Sequence, residues 1–232
     1  MDSKAPHGMT TDTLITDFSR VYSDQGFDAW LGERAVRLDL TLLEGTTCYC
    51  DPDAGRRIHL AVAGRPERIH WIDSGDYHYV TKLLTDSHVA EPFTLVLFDN
   101  HPDDQAPEFE GVLSCGSWVL AMKEENPFLE EVVTVGPGGA RPPLDVEGRA
   151  VWISVDKDIL SKDEARTDWS QGSFTLSELE DMLGKVMDGC ARVLGIDICG
   201  EFPPGKGGSP EDQRINLATN IELQQFIENH IK

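Results

Sequence analysis

The chain has 232 residues, 40% of them hydrophobic, which is enough to bury a sizeable core within one large α/β domain. Its 41 acidic residues outweigh 20 basic ones, and the resulting formal charge of -21 would repel a phosphate backbone; this argues against nucleic acid or anionic membrane as partner and favours a small cationic or polar substrate. The five cysteines are odd in number and form no CxxC pair, Met1 to Thr13 lacks the apolar centre of a signal peptide, and no run approaches the ~18 apolar residues that span a bilayer, so a soluble cytoplasmic protein with reduced thiols is expected.

The first 34 residues carry little pattern beyond an expected helix from Thr13 to Tyr22. Alternating apolar and polar residues predict a strand from Ala35 to Leu42, whereas Arg56 to Ala63 fits strand or helix equally. Arg68 to Ile72 is short and β-rich. Ser74-Gly75-Asp76 then breaks it and offers caps for a helix through Tyr79, Val80, Leu83 and Leu84. Phe93 to Phe98 is apolar on both faces, as the middle of a parallel sheet requires. A helix is expected over Ser117 to Met122, a strand over Glu131 to Val135 closed by Gly136-Pro137-Gly138-Gly139, and a second apolar strand over Ala150 to Val155. Thr175-Leu176-Ser177-Glu178 is a capping box opening a helix whose apolar positions are Leu179, Met182, Leu183 and Val186. Ala191 to Ile198 reads as a further buried strand, Pro203 to Pro210 as a loop, and Ile215 to Ile231 as a final amphipathic helix. No internal repeat is present. Strands separated by helices predict a three-layer αβα domain with a mostly parallel central sheet, with ligands bound beyond the carboxyl ends of the strands.

Two acidic clusters stand at such ends. Phe98-Asp99-Asn100-His101-Pro102-Asp103-Asp104 follows the first apolar strand, and Ser154-Val155-Asp156-Lys157-Asp158 closes the second. The alternate spacing of Asp99, His101 and Asp103 lets the backbone direct three side chains to one locus, and Asp156 and Asp158 repeat it. Four gathered carboxylates repel one another unless positive charge joins them; two divalent ions carry +4 and match four aspartates, with neutral histidine completing the set. Oxygen-rich donors with imidazole suit manganese, with zinc or another divalent ion as the alternative. Two such ions roughly 3.5 to 4 Å apart can hold a bridging water and lower its pKa toward neutrality. The bland reading of the first cluster is a polar loop whose acids cap the next helix and face water. His59, His70 and His88 lack partner spacing and read as surface or packing residues, His7 and His230 carry no signal, and Tyr79 and Trp118 read as core.

In their order, Ser74-Gly75-Asp76-Tyr77-His78, Asp99-Asn100-His101-Pro102-Asp103, Ser154-Val155-Asp156-Lys157-Asp158 and the late Asp197-Ile198-Cys199-Gly200-Glu201 resemble the GGDH, DAHxD, SxDxDxxDP and DxxE motifs of the arginase, agmatinase and formiminoglutamase family, the ureohydrolases. The resemblance covers roughly residues 70 to 202. It implies an arginase-like or deacetylase-like fold, and two manganese ions held by His78, Asp99, His101, Asp103, Asp156 and Asp158. It also implies attack of a metal-bridging hydroxide, with Asp103 among the catalytic groups, on the C–N centre of a guanidino, amidino or amide molecule. Members of this kind are often oligomers, so a homo-oligomer is a further expectation. The same fold type hosts single-zinc deacetylases, the enzymatic alternative, and a catalytically silent ligand-binding or metal-binding member is the other.

The chain departs from the family pattern in five places. Tyr77 separates Asp76 from His78, which is preferred as ligand. Lys157, where an apolar residue is common, either points into solvent or pairs with a neighbouring acid. The aspartate-proline after the second cluster is replaced by Ile159-Leu160-Ser161. Cys115 stands where arginases carry a proton-transfer histidine, as a catalytic thiol or an inert buried one. In the late motif one extra residue precedes the glutamate; Glu201 is expected to face the substrate as a catalytic and binding carboxylate, with Asp197 capping the strand as the alternative. Asp168 and Trp169 are candidate contacts for a cationic or planar ligand.

Overall fold

The computed structural model describes residues 12–231. His7 and nearly all of the Met1 to Thr13 stretch lie outside them. In chain order the main elements are β1 (Thr13–Asp17), α1 (Val21–Gln25), α2 (Phe27–Leu31), β2 (Ala35–Asp39), β3 (Tyr49–Cys50), α3 (Pro52–Val62), β4 (Ile69–Trp71), α4 (Val80–His88), β5 (Phe93–Phe98), β6 (Leu113–Ser114), α5 (Trp118–Glu125), β7 (Leu129–Val135), β8 (Ala150–Asp156), α6 (Leu176–Gly189), β9 (Arg192–Cys199) and α7 (Pro210–His230).

Seven strands form a wholly parallel sheet in the order β2-β1-β4-β9-β8-β5-β7, while β3 and β6 pair antiparallel beside it. The sheet is covered on both faces. On one side Val96, Phe98, Ile153, Val155 and Ile196 pack with α1, α2, α6 and α7. On the other Phe93, Leu95, Leu97 and Trp152 pack with α3, α4 and α5. The expected three-layer αβα architecture is therefore present, and the period-two alternation along β5 and β8 supplies an apolar side chain to each layer in turn.

Helix starts follow local chemistry. The Thr175 hydroxyl accepts from the Glu178 backbone N–H while Glu178 returns a bond to Thr175, and Ser209 with Asp212 repeats the box before Pro210 at the head of α7. Asp51 caps α3, with Pro52 in its first turn; the ambiguous segment from Arg56 to Ala63 lies mostly within this helix, its buried positions Ala54, Ile58 and Val62 recurring at helical spacing.

The helix expected over Thr13 to Tyr22 is corrected. Thr13–Asp17 is a fully buried strand laddered to β2 and β4, and only Val21 onward is helical. Two β-branched threonines and Ile15 suit a strand with neighbours on both sides, and Arg20, at φ 69, breaks the chain before α1. Among the described residues no helix is long and apolar enough to cross a membrane.

Candidate metal centre

β9, β8 and β5 are adjacent in the sheet, so three segments distant in sequence end side by side. Asp99 follows β5, Asp156 is the last residue of β8, and Asp156 stands in register with Cys199 at the end of β9. Above this edge lies a cavity of about 270 Å³, with Asp99, His101, Asp103, Asp156 and Asp158 among its lining residues and Trp169 on its wall.

Two groups of donors share Asp99. In the first, His78 Nδ1 lies 3.2 Å from Asp99 Oδ2, 3.0 Å from Asp103 Oδ2 and 3.7 Å from Asp156 Oδ2. In the second, His101 Nδ1 lies 2.7 Å from Asp158 Oδ2 and 3.6 Å from Asp99 Oδ1. All six residues named by the motifs are thus brought together. Asp103 sits at φ 48, a left-handed conformation unusual for a side-chain-bearing residue, and Trp118 Nε1 fixes its carboxylate at 2.7 Å. Glycine gives the backbone close approach on both sides of Asp156. A Cβ at Gly75 would lie 2.9 Å from Asp156 Oδ2, and one at Gly200, where φ is 92, only 2.4 Å from Oδ1.

The proton positions around His78 follow from a chain of donors. Asp197 is fully buried and accepts from Thr81 Oγ1 at 2.9 Å and from Trp152 Nε1. Ser154 Oγ also donates to Asp197, at 2.6 Å, which commits its single proton. Ser154 therefore accepts from His78 Nε2 at 2.9 Å, so that a ring relieved of its second proton would turn the Nδ1 lone pair toward the carboxylates. Asp197 is an orienting group two residues inside β9 rather than a strand cap.

The cluster carries the electrostatic signature of a cation site. His78 Nδ1 and Asp99 Oδ2 are buried with no hydrogen-bond partner among the described residues. Burial and the Asp99 charge raise Asp156 to about 6; burial with Asp156 and Asp99 raises Asp158 to about 9; Asp103 is raised by burial and Asp99. Hydrogen bonds to Asp158 and Asp99 raise His101 to about 10. Burial opposes a charged ring at His78, yet Cys199, Asp103 and Asp99 together drive its pKa well above the ordinary value. Burial also pushes on Asp99, but the neighbouring His101 and His78 outweigh it and lower this one group. Protons are thus held by groups that at neutral pH ordinarily bind few of them, and divalent cations would fit the same donors: four carboxylates and two imidazoles, with two orphaned atoms aimed inward.

Of the four residues expected at the substrate, two take other places and two line the cavity. Glu201 does not face the cavity; it is fully buried in an ion pair with Lys157 and receives Asn216 Nδ2 at 3.0 Å and Asn220 Nδ2 at 2.7 Å. Of the two readings of Lys157, pairing with an acid is the one observed. Asp168 is matched by Lys206 Nζ at 2.7 Å and is only 15% exposed, so its charge is spent within the protein. Lys206 also pairs with the buried Asp76 of the first motif. Cys115 does reach the cavity wall, but burial, Cys48 and Asp103 push its pKa up, opposite to the shift of an activated thiolate. Trp169 remains a cavity residue, 39% exposed, its indole donating to Asp76 Oδ1 at 3.2 Å. Missed from sequence was Cys199, whose Sγ donates to Asp156 Oδ2 at 3.2 Å; the signal that could have found it is its place beside Asp197 at the end of a strand paired with β8.

No family model matches the chain. An uncharacterized protein of Thermotoga maritima is 31% identical over 226 residues, covering 88% of this chain and 86% of its own. The chain belongs to the same family as that protein. Among solved structures, proclavaminate amidino hydrolase from Streptomyces clavuligerus superposes with a TM-score of 0.64 at 16% identity, covering 96% of this chain and 93% of that one. Arginase from Medicago truncatula does so with a TM-score of 0.63 at 13% identity, covering 95% and 87%. The fold is accordingly that of the ureohydrolases, and the cavity floor described above lies at the carboxyl edge of its sheet.

Proposed function

We propose that this protein is a metal-dependent hydrolase that cleaves a C–N bond of a small guanidino, amidino or amide compound, with two manganese ions at the base of the cavity. The observation that carries the reading is the convergence of three buried aspartates on His78 Nδ1, with Asp158 and His101 joined to them through the shared Asp99. His78, Asp99, Asp103 and Asp156 would hold one ion, and Asp99, His101 and Asp158 its neighbour. Bound there, divalent ions supply Lewis acidity to the scissile centre and make water acidic enough to act as a nucleophile near neutral pH.

The remaining roles belong to the chain itself. Ser154 and Asp197 keep the His78 proton on Nε2 and so fix the ring that faces the ions. Trp118 holds Asp103. The half-exposed face of Trp169 offers a planar or cationic substrate a stacking surface. Glu108, on the cavity lining and bonded to the Tyr49 hydroxyl, supplies a carboxylate for a positively charged group, a role that Glu201 and Asp168 are not placed to fill. The excess of negative charge draws such a substrate inward. Five free cysteines fit work in a reducing cytoplasm.

The test is ammonia or urea release from a panel of guanidino, amidino and amide compounds after manganese loading. Release is expected from the wild type and is expected to vanish in Asp99→Ala and Asp156→Ala. Equal release from both variants would sink the proposal.

A further inference from the structure

Cys199 is fully buried at the last position of β9, and its neighbour across the sheet is Asp156. A Cys199 Sγ, His78 ring nitrogen and Asp156 oxygen all lie within 4.8 Å of one another, a spread one ion can bridge. The thiol donates its weak bond to Asp156 Oδ2, the same oxygen that faces His78 Nδ1 at 3.7 Å. Independently of the thiol, Nδ1 is buried without a hydrogen-bond partner among the described residues and is aimed into this space. The group around His101, Asp99 and Asp158 includes no sulfur.

We infer that Cys199 is a thiolate ligand, which makes the two metal positions chemically unlike. The ion beside His78 meets sulfur, nitrogen and carboxylate donors and is therefore a softer one, zinc or cobalt. The ion beside His101 meets oxygen and one imidazole and suits manganese. The S–H proton leaves to solvent as the ion enters, so no oxidant or reductant is involved. This inference rests on the reading of the cluster as a metal centre, and it replaces the manganese ion proposed beside His78 by a softer one while keeping manganese beside His101.

The test uses the full chain with metal alone. Titration with cobalt is expected to give a thiolate-to-cobalt charge-transfer band in the near ultraviolet, absent from Cys199→Ser at equal cobalt content and retained in Cys115→Ser. In competition, Cys199→Ser is expected to lose at least about tenfold of the preference for zinc over manganese, the scale on which altered surroundings of a metal change affinity. X-ray absorption on the zinc-loaded wild type needs no variant to fold; one sulfur scatterer at about 2.3 Å is expected beside nitrogen and oxygen at about 2.0 to 2.2 Å. A band that survives in Cys199→Ser, or bound metal with nitrogen and oxygen scatterers alone, overturns the thiolate and leaves the hydrolase proposal standing. Failure to bind any divalent metal overturns both. Sulfur ligation without hydrolysis supports the thiolate and counts against the hydrolase.

Discussion

Two buried clusters of charge lie close together at the carboxyl edge of the sheet, one residue apart in sequence, and they are built on opposite principles. Lys157 and Glu201 form a closed account: one positive charge, one negative charge, and Asn216 and Asn220 satisfying the carboxylate oxygens. Asp156 and Asp158, flanking Lys157, belong to the other cluster, where four carboxylates face two imidazoles and two buried atoms have no hydrogen-bond partner among the described residues. The first cluster is complete as protein alone. The second has excess negative charge directed at a cavity, which is the condition for binding cations.

The comparison can be broken most forcefully at the closed pair. Removing one partner leaves a buried unpaired charge, so Glu201→Ala is expected to cost about 3–5 kcal/mol in denaturant unfolding, whereas Lys157→Met with Glu201→Leu costs less than Glu201→Ala. Equal losses in both would show that the pair is not self-contained. Ser154→Ala acts on the open cluster without removing a carboxylate, though it takes one donor from Asp197 and the acceptor from His78 Nε2. By freeing the His78 ring it is expected to weaken metal affinity by about 10–100-fold, measured by metal titration, with a loss of about 1–3 kcal/mol in metal-free stability.

Asp158→Asn keeps the acceptor for the Asn100 backbone N–H but removes a repelling charge. It is expected to stabilise the metal-free protein at alkaline pH by about 1 kcal/mol or more while weakening metal binding. The sign of the pH dependence follows from the same groups. Asp156 and Asp158 are raised from 3.8 to about 6 and about 9, and His101 from 6.5 to about 10. Each contributes stability that is present below its unfolded pKa and lost as pH rises through the folded one; Asp99, lowered, runs the other way. The melting temperature of the chelated protein is therefore expected to fall from about pH 5 to pH 9, and the gain on adding manganese to grow over the same window. A flat or opposite trend in the chelated protein would contradict the charge assignment.

The sheet was readable where one interaction dominates. Continuous apolar runs gave β5, β8 and β9, and paired hydroxyl and carboxylate residues gave the start of α6. Thr13–Asp17 was not readable, because its strand character depends on β2 and β4 on either side of it. The donors of the cluster were legible because ligands spaced two apart after a strand must share a locus. Glu201 was misread for a different reason: the asparagines that claim it come from α7, 15 and 19 residues downstream, and no local pattern announces them. Asp168 was likewise claimed by Lys206, 38 residues away. Cys199 became visible only through the register that sets it against Asp156.

The most direct test of the contrast between a closed and an open cluster is the number of divalent ions bound per chain after incubation with manganese and zinc and removal of free metal. The account predicts two ions in the wild type and loss of bound metal in Asp99→Ala, whose carboxylate serves both groups. A wild-type chain that holds no divalent metal under these conditions would contradict it.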